Sequence, residues 1–293
     1  MIAYLLNLGV FFCVNAILAV TLNLIIGYAG IFTMAHAVFF GIGAYTAAFV
    51  AMNFTSSLIV VTLAAMLAGG ALSFLVALPA LRVRDEYFVA ASLGVQMLGV
   101  TIFSEWKAFT GGLGGVLNIP LPTIFGYEIS TPTEFFILAL SGLALVVLIS
   151  RSLARGSFGR NLMAVRDSES AALALGKNVA VIKTLAIVLS SSLAAIAGTI
   201  YAYYLSFINV QSFTVDTSVL IMAMVIIGGA GTIYGPIVGA ATLMLLPSAL
   251  SYLWFLPKTE IGSIQQIIYG LAMVLLMIYR PGGMVSSGTK SAR

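Results

Sequence analysis

Charge is what this sequence lacks. Only 8% of its 293 residues are Asp, Glu, Lys or Arg, where a soluble globular domain carries about 25%. So few charges cannot cover a surface that faces water, and 61% of the residues are hydrophobic. The deficit excludes a soluble enzyme and leaves lipid as the solvent for most of the chain. No charged residue precedes Arg82, and none occurs between Thr217 and Pro257. A helix needs about 20 apolar residues to cross the hydrocarbon core.

Other absences narrow the function. The one cysteine, Cys13, lies inside the first apolar run. It cannot form an intramolecular disulfide or a metal site, and is expected to be buried packing. The one histidine, His36, is far from it in sequence. No catalytic dyad or metal constellation is apparent, which disfavours a membrane hydrolase. The first residues have no basic n-region and the apolar run is too long for a cleavable signal. Gly-x-x-x-x-Gly-Lys-Ser/Thr is missing, so the chain is not expected to hydrolyse ATP itself. Asp and Glu are missing from the span interiors, which argues against a proton-coupled secondary transporter. Sodium coupling through backbone carbonyls stays open as an alternative.

The hydrophobic segments fall at about 3–26, 31–53, 58–78, 87–104, 134–150, 184–206, 218–235, 237–256 and 263–279. Runs apolar on every face, such as Leu143 to Ile149, exclude the period-two alternation of a β-barrel. The expected fold is all-α: a single polytopic transmembrane bundle of about 8–9 spans, over 1–293. Basic residues set its orientation. Arg82 and Arg84 share a short loop, and Arg280, Lys290 and Arg293 follow the last span. The stretch 151–183 holds six basic residues against Asp167 and Glu169, a net of +4. These regions are expected in the cytoplasm. The stretch 105–134, with a net of −2, is expected outside.

Two glycine clusters interrupt the apolar runs: Gly27-Tyr28-Ala29-Gly30, and Gly228-Gly229-Ala230-Gly231 followed by Gly235-Pro236. Such runs break helices, and broken helices at membrane depth line polar paths. The segments 31–53 and 218–235 are therefore the ones expected to be re-entrant or broken. The echo between the clusters suggests an internal repeat. His36 reads either as a hydrogen-bonded histidine that fixes a kink or as a polar group lining a translocation path; Thr33 and Gln96 are similar candidates for the path, with Gly228, Gly229 and Gly231 supplying backbone.

The stretch 151–183 has helical pattern. Phe158, Leu162 and Val165 share one helical face, and Arg166 closes that piece. Asp167 or Ser168 can cap a second helix through Ala171, Ala172 and Leu175, with Gly176 placed at its C′ position. Two short amphipathic helices on the cytoplasmic side are expected. A plain surface loop obeying the positive-inside rule is one reading; a docking element is the other. In the second, Ala171 and Ala172 admit a partner closely while Arg160, Arg166 and Glu169 make polar contacts at the rim.

Gly159-Arg160-Asn161-Leu162-Met163-Ala164-Val165-Arg166-Asp167-Ser168-Glu169-Ser170-Ala171-Ala172, then Leu175-Gly176-Lys177-Asn178, resembles the coupling loop of branched-chain amino-acid ABC transporter permeases, of the M-type membrane subunit. Ser170 stands where the general Glu-Ala-Ala-x-x-x-Gly motif has Glu. Gly27 to Tyr45 resembles the family's first signature, with Thr33 and Ala35 for the usual Ser and Gly. Thr110 to Gly115, Ile227 to Ala240 and Arg280-Pro281-Gly282-Gly283 resemble further family elements, in family order. The resemblance implies an importer subunit in a bacterial inner membrane. Its implied partners are a homologous second permease subunit, two cytoplasmic ATPase subunits and an extracytoplasmic solute-binding protein. ATP and Mg would bind on the ATPase partners, with no cofactor on this chain. Branched-chain amino acids or a similar small amphipathic solute are the implied cargo.

Overall fold

The computed structural model describes residues 2–80 and 85–251, together with 267, 268, 270, 271, 274, 275, 279 and 282–285. Helix α1 (Ile2–Asn23) runs directly into a wider π-helical turn at Leu24–Tyr28. After a non-helical stretch at 29–35 comes α2 (His36–Asn53). Helices α3 (Leu58–Leu72) and α4 (Phe74–Ala80) form one apolar rod with a turn at Ser73. Then come α5 (Asp85–Glu105) and the single turn α6 (Lys107–Thr110). The connection to the next helix carries β1 (Val116–Leu117), β2 (Thr123–Ile124) and β3 (Tyr127–Glu128).

Helix α7 (Pro132–Arg155) opens on a capping box with Pro132 in its first turn. Thr131 Oγ1 accepts from Glu134 N at 3.3 Å, and Glu134 Oε2 accepts from Thr131 N at 3.0 Å. Two short helices, α8 (Ser157–Asp167) and α9 (Glu169–Ala174), lead to the long α10 (Val179–Leu205). Strand β4 (Phe207–Ile208) and a 3-10 turn at Val210–Phe213 precede α11 (Val215–Gly228), and α12 (Gly235–Ser251) follows.

Among the described residues, six helical segments are long and apolar enough to cross a bilayer: Ala3–Tyr28, His36–Asn53, Leu58–Leu78, Tyr87–Glu105, Pro132–Arg155 and Val179–Leu205. Val215–Gly228 and Gly235–Leu245 are shorter apolar helices. The expected segment 263–279 lies largely outside the described residues, as do Arg82, Arg84, Arg280, Lys290 and Arg293. The two segments expected to be re-entrant or broken are both interrupted. The one at 31–53 begins as helix only at His36, and the one at 218–235 ends as helix at Gly228. A glycine cluster sits at each break, one at the end of the π-helical turn before α2 and the other at the end of α11 itself.

Contacts between distant segments sort the connections to two ends. At the strand end, β1 pairs antiparallel with β4, Thr123 N donates to Ser56 O at 3.0 Å, and Tyr203 Oη donates to the same carbonyl at 3.2 Å. At the loop end, α8 meets both glycine clusters. Met284 N and Val285 N donate to Ile227 O and Gly228 O, at 2.9 and 3.0 Å. The segment near residue 284 therefore lies at the same end as α8.

The centre is built on close backbone approach. A Cβ on Gly43 would lie 2.5 Å from Ala195 Cα, and one on Gly198 would collide with Phe40 O. Helices α2 and α10 thus touch through small residues, as membrane helices do where apolar burial gives no drive to associate. Phe40 also packs edge-on against Tyr201 and Phe213, with ring centroids 5.1 and 5.0 Å apart. Helices α3, α5 and α7 lie outside this core and expose Leu67, Leu98 and Leu148.

Candidate coupling and translocation site

The first glycine break leaves backbone that neither helix can satisfy. An unpaired backbone group at membrane depth costs several kcal/mol. Four side chains meet that demand at the start of α2. Ser92 Oγ accepts from Met34 N at 3.0 Å, and Thr33 Oγ1 from Ala35 N at 3.2 Å. Ser218 Oγ accepts from Ala37 N at 2.9 Å, and Gln96 Oε1 from Val38 N at 3.2 Å. Gln96 then ties the group together. Its Oε1 also accepts from Ser218 Oγ at 3.3 Å, and its Nε2 donates to Phe213 O at 2.8 Å. One amide side chain thus joins α2, α5, α11 and the turn before α11.

This places two of the expected path residues. Thr33 and Gln96 are both buried, and their polar atoms hold backbone. His36 is fully buried, with Nε2 3.0 Å from Thr21 Oγ1. Because Thr21 Oγ1 donates to Leu18 O, the bond from the ring is assigned as Nε2–H donating. His36 Nδ1 is then an acceptor with no partner. In this conformation the amides at the start of α2 are occupied, so they do not offer a free anion site.

The second break mirrors the first. Gly30 and Gly231, the last residues of the two echoing clusters, have φ of 73° and 77°. That left-handed region costs any residue with a Cβ about 1 kcal/mol or more. The clusters also touch: a Cβ on Gly231 would lie 3.1 Å from Gly27 O. Asn23, at the end of α1, clasps them. Its Oδ1 accepts from Gly231 N at 2.8 Å and its Nδ2 donates to Thr232 O at 2.7 Å. Thr232 Oγ1 in turn donates to Gly229 O and accepts from Gly235 N, which starts α12. Gly228 packs so closely on Gly235 O that no side chain fits.

The expected helix pair is present as α8 and α9. Ser168 is the cap, with Oγ accepting from Ala171 N at 3.3 Å, and Gly176 has φ of 74° at the C′ position. The apolar face points inward. Leu162, Val165 and Ala172 are 1%, 4% and 2% exposed, against the bundle, and Phe158 is half-buried beside them. The expectation that Ala172 admits a partner is corrected: the bundle occupies that face. Ala171, Leu173 and Leu175 point away, and Arg160 is exposed, donating to Arg155 O at 3.2 Å. Glu169 pairs with Lys183 of α10 at 2.6 Å. Arg166 Nη1 donates to Gly27 O at 2.7 Å, while Nε and Nη2 donate to Asp167 Oδ1 at 3.2 Å. The loop, the end of α1 and both glycine breaks are therefore one contiguous assembly.

Asn23, Thr21, Ser92 and Ser218 escaped the sequence reading. Their signal was a lone polar residue in an apolar span, and Asn23 stands four residues before a glycine cluster.

A family profile described as the permease component of branched-chain amino acid transport systems matches residues 4–277. The permease protein LivM of the high-affinity branched-chain amino acid transport system of Escherichia coli (strain K12) is 31% identical over 296 residues, covering 92% of this chain and 67% of that one. A probable branched-chain amino acid permease protein LivM of Methanocaldococcus jannaschii is 25% identical over 240 residues, 78% of this chain and 68% of that one. The ribose import permease protein RbsC of Haemophilus influenzae is 26% identical over 275 residues, 90% of this chain and 80% of that one. No solved structure matches. The profile spans the six long helices, both glycine breaks and the α8–α9 loop, and this chain therefore belongs to the permease-component family of branched-chain amino acid transport systems.

Proposed function

We propose that this chain forms half of the membrane path of an ATP-driven importer for small aliphatic amino acids, leucine, isoleucine and valine first among them. The cargo is carried over from the LivM relatives. A homologous second permease subunit supplies the other half, and an extracytoplasmic binding protein delivers solute to the strand end. Two ATPase subunits, holding ATP and Mg, dock on α8 and α9. The loop end and the segment near residue 284 then face the cytoplasm.

One observation carries the reading: a capped helix pair lies across the loop end, hydrogen-bonded to the first break through Arg166 and packed on the second, which Asn23 ties to the first. A rigid element of this kind passes a partner's displacement to the path, as a flexible loop would not. The docking face in this proposal is the one turned away from the bundle: Arg160, Ala171, Leu173 and Leu175. Thr33, His36 and Gln96 act as ties that hold the narrow part of the path, and Gly228, Gly229 and Gly231 form its hinge at the loop end.

Co-reconstitution in vesicles tests this. Uptake of labelled leucine is expected only with the ATPase subunits and lumenal ATP present. Uptake by this chain alone, indifferent to ATP, sinks the proposal and favours a secondary transporter.

A further inference from the structure

We propose that Arg166 is the strut that holds the two glycine breaks against each other, so that moving α8 frees both at once. This rests on the reading of α8–α9 as the site where the ATPase acts.

Four features converge on one guanidinium. Nη1 donates to Gly27 O at 2.7 Å, inside the first break. A Cβ on Gly231 would lie 3.3 Å from the same nitrogen, so Arg166 also packs on the second break. The aliphatic stem crosses Gly30, where a Cβ would sit 2.6 Å from Arg166 Cγ. Nε and Nη2 are held by Asp167, whose side chain is 69% exposed. A planar fork with donors on separate edges can grip a carboxylate and a carbonyl together, which an ammonium cannot do with the same geometry.

The placement gives the contact leverage. Leu162 and Val165 bury the middle of α8, so the helix moves as a body and carries Arg166 with it. Asn23 links Gly231 and Thr232 to the end of α1, the segment whose Gly27 carbonyl Arg166 holds. Pulling the guanidinium away therefore removes a charge-assisted bond from one break and a packing partner from the other. Asp167 is the accessible end of the same contact, where a docking partner competes for the guanidinium.

The test uses the complete assembly in vesicles, measuring leucine taken up per ATP hydrolysed. R166Q is expected to lower that ratio about tenfold, the equivalent of one charge-assisted hydrogen bond, with the ATPase subunits still co-purifying. R166K, which keeps the charge on a single nitrogen and loses the planar fork, should fall between the parent and R166Q. G30A, which displaces the stem and leaves the arginine, should lower the ratio too. A second measurement needs no variant. On the parent assembly, hydrogen exchange at 27–35 and 229–235 is expected to rise together when a non-hydrolysable ATP analogue is bound. A parent that couples uptake to ATP, beside an R166Q assembly with the parent's ratio, overturns the strut alone. So does exchange that rises at one break only, or at neither. A parent that takes up leucine without ATP overturns the transport reading instead.

Discussion

Replacing Gln96 with leucine, which has similar volume and no hydrogen-bonding group, separates a structural tie from a solute ligand. Gln96 is fully buried and its side chain serves three partners: Val38 N, Ser218 Oγ and Phe213 O. Val38 N keeps a second acceptor in Ala35 O at 3.2 Å, so its loss is partial. Phe213 O loses its amide donor, and the Ser218 hydroxyl loses an acceptor. Each buried group left unpaired costs about 1–3 kcal/mol, which makes the total about 2–6 kcal/mol for these two groups. For a chain of this size, each kcal/mol moves the melting temperature by about 2–4 °C. The midpoint in detergent, read by size-exclusion of the heated protein, should drop by roughly 4–24 °C. Gly94→Ala on the same helix is the control, because a Cβ there meets nothing within 4 Å. Suppose Q96L melts with the control while leucine uptake by the assembly loses apparent affinity. Then Gln96 contacts solute, and the tie is wrong.

Three further outcomes follow from the same contacts. Gly198→Ala should destabilise by about 1–3 kcal/mol relative to Gly94→Ala, since its Cβ meets backbone of α2 and cannot be accommodated by a side-chain turn; equal melting of the two refutes the close approach. Asn23→Leu should cost about 2–6 kcal/mol, because Gly231 N and Thr232 O each lose a bond, and protease nicking near 229–234 should quicken; an unchanged nicking rate counts against the clasp. Ala172→Arg should detach α9 from the bundle, because position 172 is 2% exposed and cannot take a charge there. Its effect should appear as faster exchange of 169–178 in the isolated chain; if exchange is unchanged without a partner present, the inward orientation of Ala172 is refuted.

Much of this was readable from composition and period. Scarce charge gave a helical membrane chain, the spacing of Phe158, Leu162 and Val165 gave α8, and a cap at Asp167 or Ser168 with a left-handed glycine at 176 gave α9, where Ser168 is the cap. Glycine clusters marked both helix breaks. Periodicity says which residues share a face, and not what that face meets. On pattern alone Ala172 reads as a docking residue, and it packs on its own bundle. Gln96 and Thr33 read as path residues because a polar group in lipid needs a partner; Thr33 meets backbone two residues on, while the partners of Gln96 are backbone from distant segments, which no local pattern reveals. Asn23 is the sharpest omission, since its bonds reach across 208 and 209 residues.

The satisfied start of α2 has a consequence for how the protein is made. The hydroxyl that accepts from Ala37 N belongs to a residue 181 positions later, and the Ser92 hydroxyl and Gln96 amide oxygen that accept from Met34 N and Val38 N each come 58 positions later. A ribosome delivers α2 to the membrane long before α11 exists. During that interval the helix start has no Ser218 to meet it, and bare amides are not tolerated among lipid tails. The second helix to be synthesised is thus among the last to be seated. Its final depth waits on translation of the chain beyond residue 218, and the early part of this protein must be kept by the insertion machinery, or by water, until then.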